Sequence, residues 1–229
     1  GQVPGGLRHP ASAHRAGAVM EDVIQGSAEW LAIRCGRVTA SRMSDLMAKT
    51  KTGYGASRAN YMAELIAERL TGQPAERFTN EAMRWGSEKE PEARAAYEFV
   101  TGQDVVEVGF VQHPSIDMTG ASPDGLVGDD GLVEIKAPNT STHIDFLLSG
   151  TVPQKYVLQM AWQMCCTGRQ WTDFVSYDPR LPLSMQLFIK RVPRDDVMIA
   201  DMEAEVRAFL AEVDEKVAAL TAKFERRAA

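Results

Sequence analysis

The stretch that most constrains this chain is a short apolar strand carrying two charges, Gly131-Leu-Val-Glu-Ile-Lys136. Leu132, Val133 and Ile135 are strand-forming, and Gly131 marks the turn before them. Side chains alternate along a strand, so Glu134 and Lys136 share one face while Val133 and Ile135 point into the opposite layer. Upstream lie Ser122-Pro-Asp-Gly125 and then Gly128-Asp-Asp-Gly131. That linker has hairpin chemistry. A hairpin there folds Asp124 back beside Glu134. Two carboxylates and one ammonium then converge at the end of a buried strand.

Such a convergence needs a physical reason. Two acids held close repel one another unless a cation or a shared proton relieves them. A hard divalent ion such as Mg2+ or Mn2+ takes one or two carboxylates plus waters and leaves room for phosphate oxygens. Lys136 would be a compact charge with three donors, suited to holding an attacking water or to stabilising charge that builds on phosphorus. Together these are the parts for metal-assisted hydrolysis of a phosphodiester. The plain alternative is a surface hairpin with a Glu–Lys cross-pair. The Ser-Pro-Asp-Gly context and the apolar strand weigh against it.

Other segments fall in a telling order: Trp30…Arg34-Cys-Gly-Arg-Val-Thr-Ala-Ser41, Arg84-Trp-Gly-Ser-Glu-Lys-Glu90, Ser122-Pro-Asp-Gly125, Glu134-Ile-Lys136 and Gln159-Met-Ala-Trp-Gln163. In this order they resemble the lambda-exonuclease family of YqaJ-like phage recombination nucleases, within the PD-(D/E)xK superfamily. The resemblance runs from about Trp30 to the final helix. It implies an α/β fold: a restriction-endonuclease-like core with a mixed central sheet flanked by helices, a long C-terminal helix, and the active site at the strand ends. It implies that Asp124, Glu134 and the backbone carbonyl of Ile135 hold Mg2+, or Mn2+, as two ions, with Glu90 assisting directly or through water. Lys136 would orient the attacking water, and Gln159 would sit near that lysine and the DNA. Arg34 and Ser41, with Thr39 and Ser122 as further contacts, would bind a terminal 5′-phosphate.

The activity so implied is 5′-to-3′ digestion of one strand of linear double-stranded DNA from a 5′-phosphorylated end. It leaves a 3′ single strand for phage-type recombination by strand annealing. A homotrimeric ring around the DNA, a phage single-strand annealing protein as partner and a bacterial cytoplasmic setting belong to the same implication. One rival is a restriction-like or repair endonuclease with the same core. Another is a non-catalytic DNA-binding module, against which Asp124, Glu134 and Lys136 speak.

Composition adds bounds. The chain has 229 residues, with 45% hydrophobic and 24% charged, ordinary for a globular protein. No apolar run approaches the length of a membrane span. Cys35, Cys165 and Cys166 give neither a disulfide framework nor a zinc spacing, and His14, His113 and His143 are not at ligand spacings either. His9 lies in the N-terminal stretch. The net charge of −6 weighs against nonspecific coating of duplex, which needs clustered Lys and Arg.

Along the chain, residues 1–19 lack periodicity and are expected to be an expression leader or disordered tail, with residues 20–229 forming a single exonuclease domain. The pattern then predicts a short helix around Trp30, ended by Gly36. A helix opened by Thr39-Ala-Ser41 follows, whose free amides suit a phosphate. A polar loop over 49–58 is followed by a helix with Tyr61, Leu65, Ile66 and Leu70 on its core face. The next helix is expected from Thr79 or Asn80 to Val100, with Met83, Tyr97 and Val100 in the core and a kink or break beside Glu90 at Pro91. Asp104 to Gln112 is expected to be one strand. After the hairpin come a short helix over 143–148, an apolar helix over 156–166 with Gln159 and Gln163 on one face, and antiparallel strands over 171–177 and 184–192. A long helix from Asp195 to about Arg227 carries an apolar stripe from Ile199 to Phe224.

Overall fold

The structure is a computed structural model and describes residues 14–20, 23–75 and 80–225. Its elements are β1 (Val19–Met20), α1 (Ala28–Arg34), β2 (Val38–Thr39), α2 (Met43–Leu46), β3 (Lys49–Thr50), β4 (Gly53–Tyr54), α3 (Ala56–Thr71), α4 (Glu81–Thr101), β5 (Val105–Val106), β6 (Phe110–Gln112), β7 (Thr119–Ala121), β8 (Gly125–Val127), β9 (Gly131–Lys136), α5 (Thr140–Ser149), α6 (Gln154–Thr167), β10 (Trp171–Tyr177), β11 (Leu187–Pro193) and α7 (Asp196–Glu225). The larger sheet has the order β11-β10-β9-β8-β5. Only β9 and β10 run parallel in it. A smaller sheet has the order β1-β6-β7-β2, and β3 and β4 form a ribbon of their own.

Alternation along β9 sorts its side chains into two layers. Val133 and Ile135 pack with Val127, Val175 and Tyr177 against Ala93 and Tyr97 of α4. Leu132 packs on the other side with Phe174, against Phe146 of α5 and Met160 and Met164 of α6. Glu134 therefore faces α6. The third core joins α2, α3, α6 and α7 to the smaller sheet, around Trp162, Tyr61 and Phe209. Helix starts follow their caps: the side chains of Ser27, Asn80 and Asn139 accept from the amides of Trp30, Met83 and Thr142, each filling a donor the first turn leaves unpaired. Thr79, the other expected start of α4, lies outside the described residues.

Several expectations are corrected. The stretch from Asp104 to Gln112 is not one strand: Val105–Val106 belongs to the larger sheet and Phe110–Gln112 to the smaller. The chain crosses between sheets at this point, with Val108 buried in the joint. Helix α4 neither breaks nor stops at Pro91. Pro91 and Ser87 are both exposed, so the carbonyl that Pro91 leaves without a donor opens to water. Met83 is 51% and Val100 64% exposed, because α4 meets the sheet only through its middle turns.

Thr39 lies in β2, and residues 40–42 form a 3-10 turn without a side-chain cap. No capped helix opens there. Residues 49–54 are a ribbon rather than a loop, held to α7 by Glu205, which accepts from Lys49 Nζ (2.7 Å) and Tyr54 Oη (2.8 Å). The start of the last expected strand is a 3-10 turn, Leu183–Met185. The buried stripe of α7 ends at Val213, with Leu220 and Phe224 exposed. Within the expected leader, the described residues pack on the body. Val19 pairs with Val111, and the Gly17 amide donates to the Cys166 carbonyl (2.8 Å).

Candidate active site

Asp124 sits where the chain leaves the smaller sheet (β7) for the larger (β8). Gly125 follows because a Cβ there would come within 2.1 Å of Val105 Cγ1, so only glycine lets β8 close on β5. Gln25 steadies this crossover, its Nε2 donating to the carbonyls of Val108 and Pro123 at 2.9 Å each. The β8–β9 ladder ends at Gly125–Val133. Beyond it the Ile135 amide donates to Asp124 Oδ2 (2.7 Å) instead of to a strand. In a strand the N–H and C=O of one residue leave on the same side. The Ile135 carbonyl therefore faces the same edge as Asp124.

Glu134 is 0% exposed and held by three donors. Its Oε1 accepts from Lys136 Nζ and from Gln159 Nε2 (2.6 Å), and its Oε2 from Gln163 Nε2 (2.6 Å). Lys136 also lies over the Tyr156 ring, 5.8 Å from its centroid. Burial, then the charge of Glu134, pushes the Asp124 carboxyl well above the usual range; Glu90 adds to this while Lys136 and the Ile135 amide oppose it. Burial works against the Lys136 ammonium, but Glu134 and Asp124 outweigh it and raise its pKa.

Glu90 reaches the group from α4, on the opposite side of the sheet from α6. Burial raises its carboxyl, Arg94 and Lys136 pull it back, and Glu134 and Glu107 raise it further. Arg94 Nη2 donates to Glu90 Oε1 (2.9 Å), and Arg94 also pairs with Glu107. Glu90, Ile135 and Lys136 line a cleft of about 610 Å3, with Met83, Ser87 and Tyr156 on its walls. Three acids therefore stand against Lys136, with Arg94 on the outer one. Oxygen donors and raised carboxyls fit a hard divalent cation. The residues that could hold one are Asp124, Glu134, the Ile135 carbonyl and Glu90.

The expected phosphate contacts form two small groups. The Arg34 guanidinium stacks 3.8 Å from the Trp30 ring centroid, and Trp30 Nε1 donates to Ser122 Oγ (2.9 Å). This chain of contacts ends beside Pro123-Asp124. Thr39, on the strand paired with β7, and Ser41, in the 3-10 turn that follows, meet through their hydroxyls (3.5 Å). Thr39 is only 3% exposed and its amide donates to Tyr61 Oη (3.1 Å), while Ser41 is exposed.

Sequence reasoning set Gln163 on one face with Gln159 without placing it in the group, and it missed Arg94. The four-residue spacings Gln159/Gln163 and Glu90/Arg94 were the available signals. Folding also gathers His113, Cys165 and Glu203, whose ligand atoms lie within 4.8 Å of one another, although their linear spacing suggests nothing. His113 Nδ1 accepts from the amides of Ser115 (3.2 Å) and Ile116 (3.0 Å). The ring proton of the neutral form is thus on Nε2, which faces Cys165 Sγ (3.2 Å) and Glu203 Oε1 (3.0 Å). Metal-bound histidines instead donate from the second nitrogen. The cluster is a hydrogen-bonded tie between the β6–β7 turn, α6 and α7.

Residues 29–170 match the YqaJ-like viral recombinase domain. The chain belongs to the YqaJ-like viral recombinase family. Among solved structures it is similar to two of the alkaline exonuclease LHK-Exo from Laribacter hongkongensis, one of them in complex with dAMP. Each is 55% identical with a TM-score of 0.82, covering 87% of this chain and 99% of that one. A phage related exonuclease from Haemophilus somnus 129PT is 14% identical with a TM-score of 0.64, over 80% of this chain and 96% of that one; it shares the fold. No curated protein matches. The mixed sheet, its flanking helices and the long α7 are the restriction-endonuclease-like fold, here in its YqaJ form.

Proposed function

We propose that this YqaJ-family protein is a Mg2+-dependent exonuclease that digests one strand of linear double-stranded DNA from a 5′-phosphorylated end, 5′ to 3′. The observation that carries the reading is the junction of Asp124, Glu134 and Lys136 at the end of β9, with the Ile135 amide donating to Asp124. The 55% identical alkaline exonuclease supports the class of activity.

When bound, a divalent ion supplies Lewis-acid polarisation of a phosphoryl oxygen and lowers the pKa of water. Asp124, Glu134 and the Ile135 carbonyl would hold it, and Glu90 would join them by releasing Arg94. The Lys136 ammonium, kept charged by the two acids, orients the attacking water and stabilises charge as it builds on phosphorus. Gln159 fixes the Glu134 oxygen that Lys136 also touches, so acid and lysine keep one mutual position. Arg34 and Ser122 hold the terminal phosphate beside Asp124, with Ser41 and Thr39 behind them. The buried Thr39 hydroxyl acts through Ser41. The 3′ single strand left behind suits recombination by annealing. A trimeric ring, a single-strand annealing partner and action in the host cytoplasm complete the proposal. None of the described helices is long and apolar enough to cross a membrane.

The test offers Mg2+ with three duplexes: linear with 5′-phosphate, linear with 5′-hydroxyl, and covalently closed. Mononucleotide release from the first, slower release from the second and none from the third is the expected result. Cutting of the closed circle would overturn the exonuclease reading in favour of a restriction-like or repair endonuclease. Binding without any release would favour a DNA-binding module.

A further inference from the structure

We propose that Gln163 is a positioning residue that leaves Glu134 a single free coordination site, on Oε2. The inference rests on the metal-binding reading above and goes beyond it by naming which oxygen binds and what fixes it. A carboxylate offers about four acceptor positions, two on each oxygen. Lys136 Nζ and Gln159 Nε2 fill both on Oε1, and Gln163 Nε2 takes one on Oε2 (2.6 Å). One position remains, and it is on Oε2. A cation meeting Glu134 without displacing a donor therefore binds through that atom alone.

Gln163 is 0% exposed, and its Oε1 is buried with no hydrogen-bond partner. A glutamine kept only for packing would not hold this orientation, since a buried acceptor without a donor is unfavourable. Turning the amide over would set its oxygen against the carboxylate and repel it. The orientation is thus dictated by Glu134. Gln159 and Gln163 are one helical turn apart on α6, so a rigid element sets both donors at once. Gln159 acts on an oxygen that Lys136 also holds, whereas Gln163 alone holds the oxygen with the free position. The two glutamines are therefore not equivalent, although they share a face and a partner.

The test is the affinity of the metal-free protein for Mn2+, followed by electron paramagnetic resonance of free Mn2+. Gln163→Met keeps the length and volume and removes the donor. It is expected to weaken Mn2+ binding by roughly 10–100-fold, the usual effect of losing a partner of a metal ligand. Gln159→Met is expected to weaken it by less, because Lys136 still holds Oε1. Equal affinities for wild type and Gln163→Met, or a larger loss in Gln159→Met, would overturn the inference. Absence of Mn2+ binding by the wild type would instead overturn the metal reading beneath it. Should Gln163→Met fail to fold, a crystal structure of the Mn2+-loaded wild type decides. Coordination by Oε2 alone, with Gln163 still donating, supports the inference; chelation by both oxygens, or a Gln163 turned away, refutes it.

Discussion

Removing the charge from Glu134 and from Asp124 should abolish cleavage alike, yet move stability in opposite directions. Glu134 is wholly buried and accepts from Lys136, Gln159 and Gln163. In Glu134→Gln one oxygen becomes an NH2 group. The remaining oxygen can stay with Lys136 and Gln159, but the new NH2 then faces that of Gln163, and turning the Gln163 amide over to accept from it buries the Gln163 NH2 without an acceptor instead. A buried donor left without an acceptor costs about 1–3 kcal/mol. Lys136 also loses its counter-charge; because its side chain is 29% exposed, water softens that loss to about 1 kcal/mol. The sum is roughly 2–4 kcal/mol, which in a chain of this size lowers Tm by roughly 4–16 °C.

Asp124→Asn differs. Its amide oxygen can still accept from the Ile135 N–H, so no bond is lost. The aspartate carboxyl is raised in the folded protein by burial and by Glu134, so the folded state keeps a proton that the unfolded chain has released. That contribution is full below the ordinary carboxylate range and is lost as pH rises through the folded pKa. Without metal, Asp124→Asn should melt with the wild type in acid and above it at pH 8. The assay is thermal unfolding in EDTA at both pH values, beside cleavage in Mg2+. Glu134→Gln melting within about 1 °C of wild type, or Asp124→Asn falling as far as Glu134→Gln at pH 8, would refute the reasoning.

Other outcomes follow from the same geometry. Lys136→Ala should lower turnover by roughly 10²–10³ while leaving Mn2+ affinity near that of wild type, if the ammonium stabilises developing charge; single-turnover rates measure it, and an unchanged rate would make the lysine structural. Arg34→Ala should erase the preference for 5′-phosphate over 5′-hydroxyl ends, read from initial rates on the two linear duplexes. The rise in Tm produced by Mg2+ should grow as pH rises above the ordinary carboxylate range, because burial lets Asp124 and Glu90 keep protons past that range and a cation must replace them. A Mg2+ shift that shrinks as pH rises would count against these two acids as ligands.

The legible part of the fold was the part where pattern and burial coincide. Alternation in β9 put Val133 and Ile135 in one layer and Glu134 in the other, and the turn residues before it brought Asp124 to the same end. The crossover between sheets was not legible. Val106, Val108 and Phe110 alternate equally well along one strand or along two pieces joined by a buried residue. Gln163 was half legible: its spacing put it on the face of Gln159, but a glutamine one turn from another also fits an ordinary polar stripe until the burial of α6 is known. Met83 and Val100 show the converse, apolar residues on turns of α4 that reach past the sheet. The contacts of Gly17 and Val19 with the body were not legible either, since a two-residue strand such as β1 carries no periodicity to detect.

The most direct test of the central claim is calorimetric titration of Mg2+ into metal-free wild type, Asp124→Asn and Glu134→Gln at pH 8. Saturable binding in the wild type, and its loss in both variants, is the predicted result. Wild-type heats in either variant would contradict the claim that these two carboxylates hold the cation.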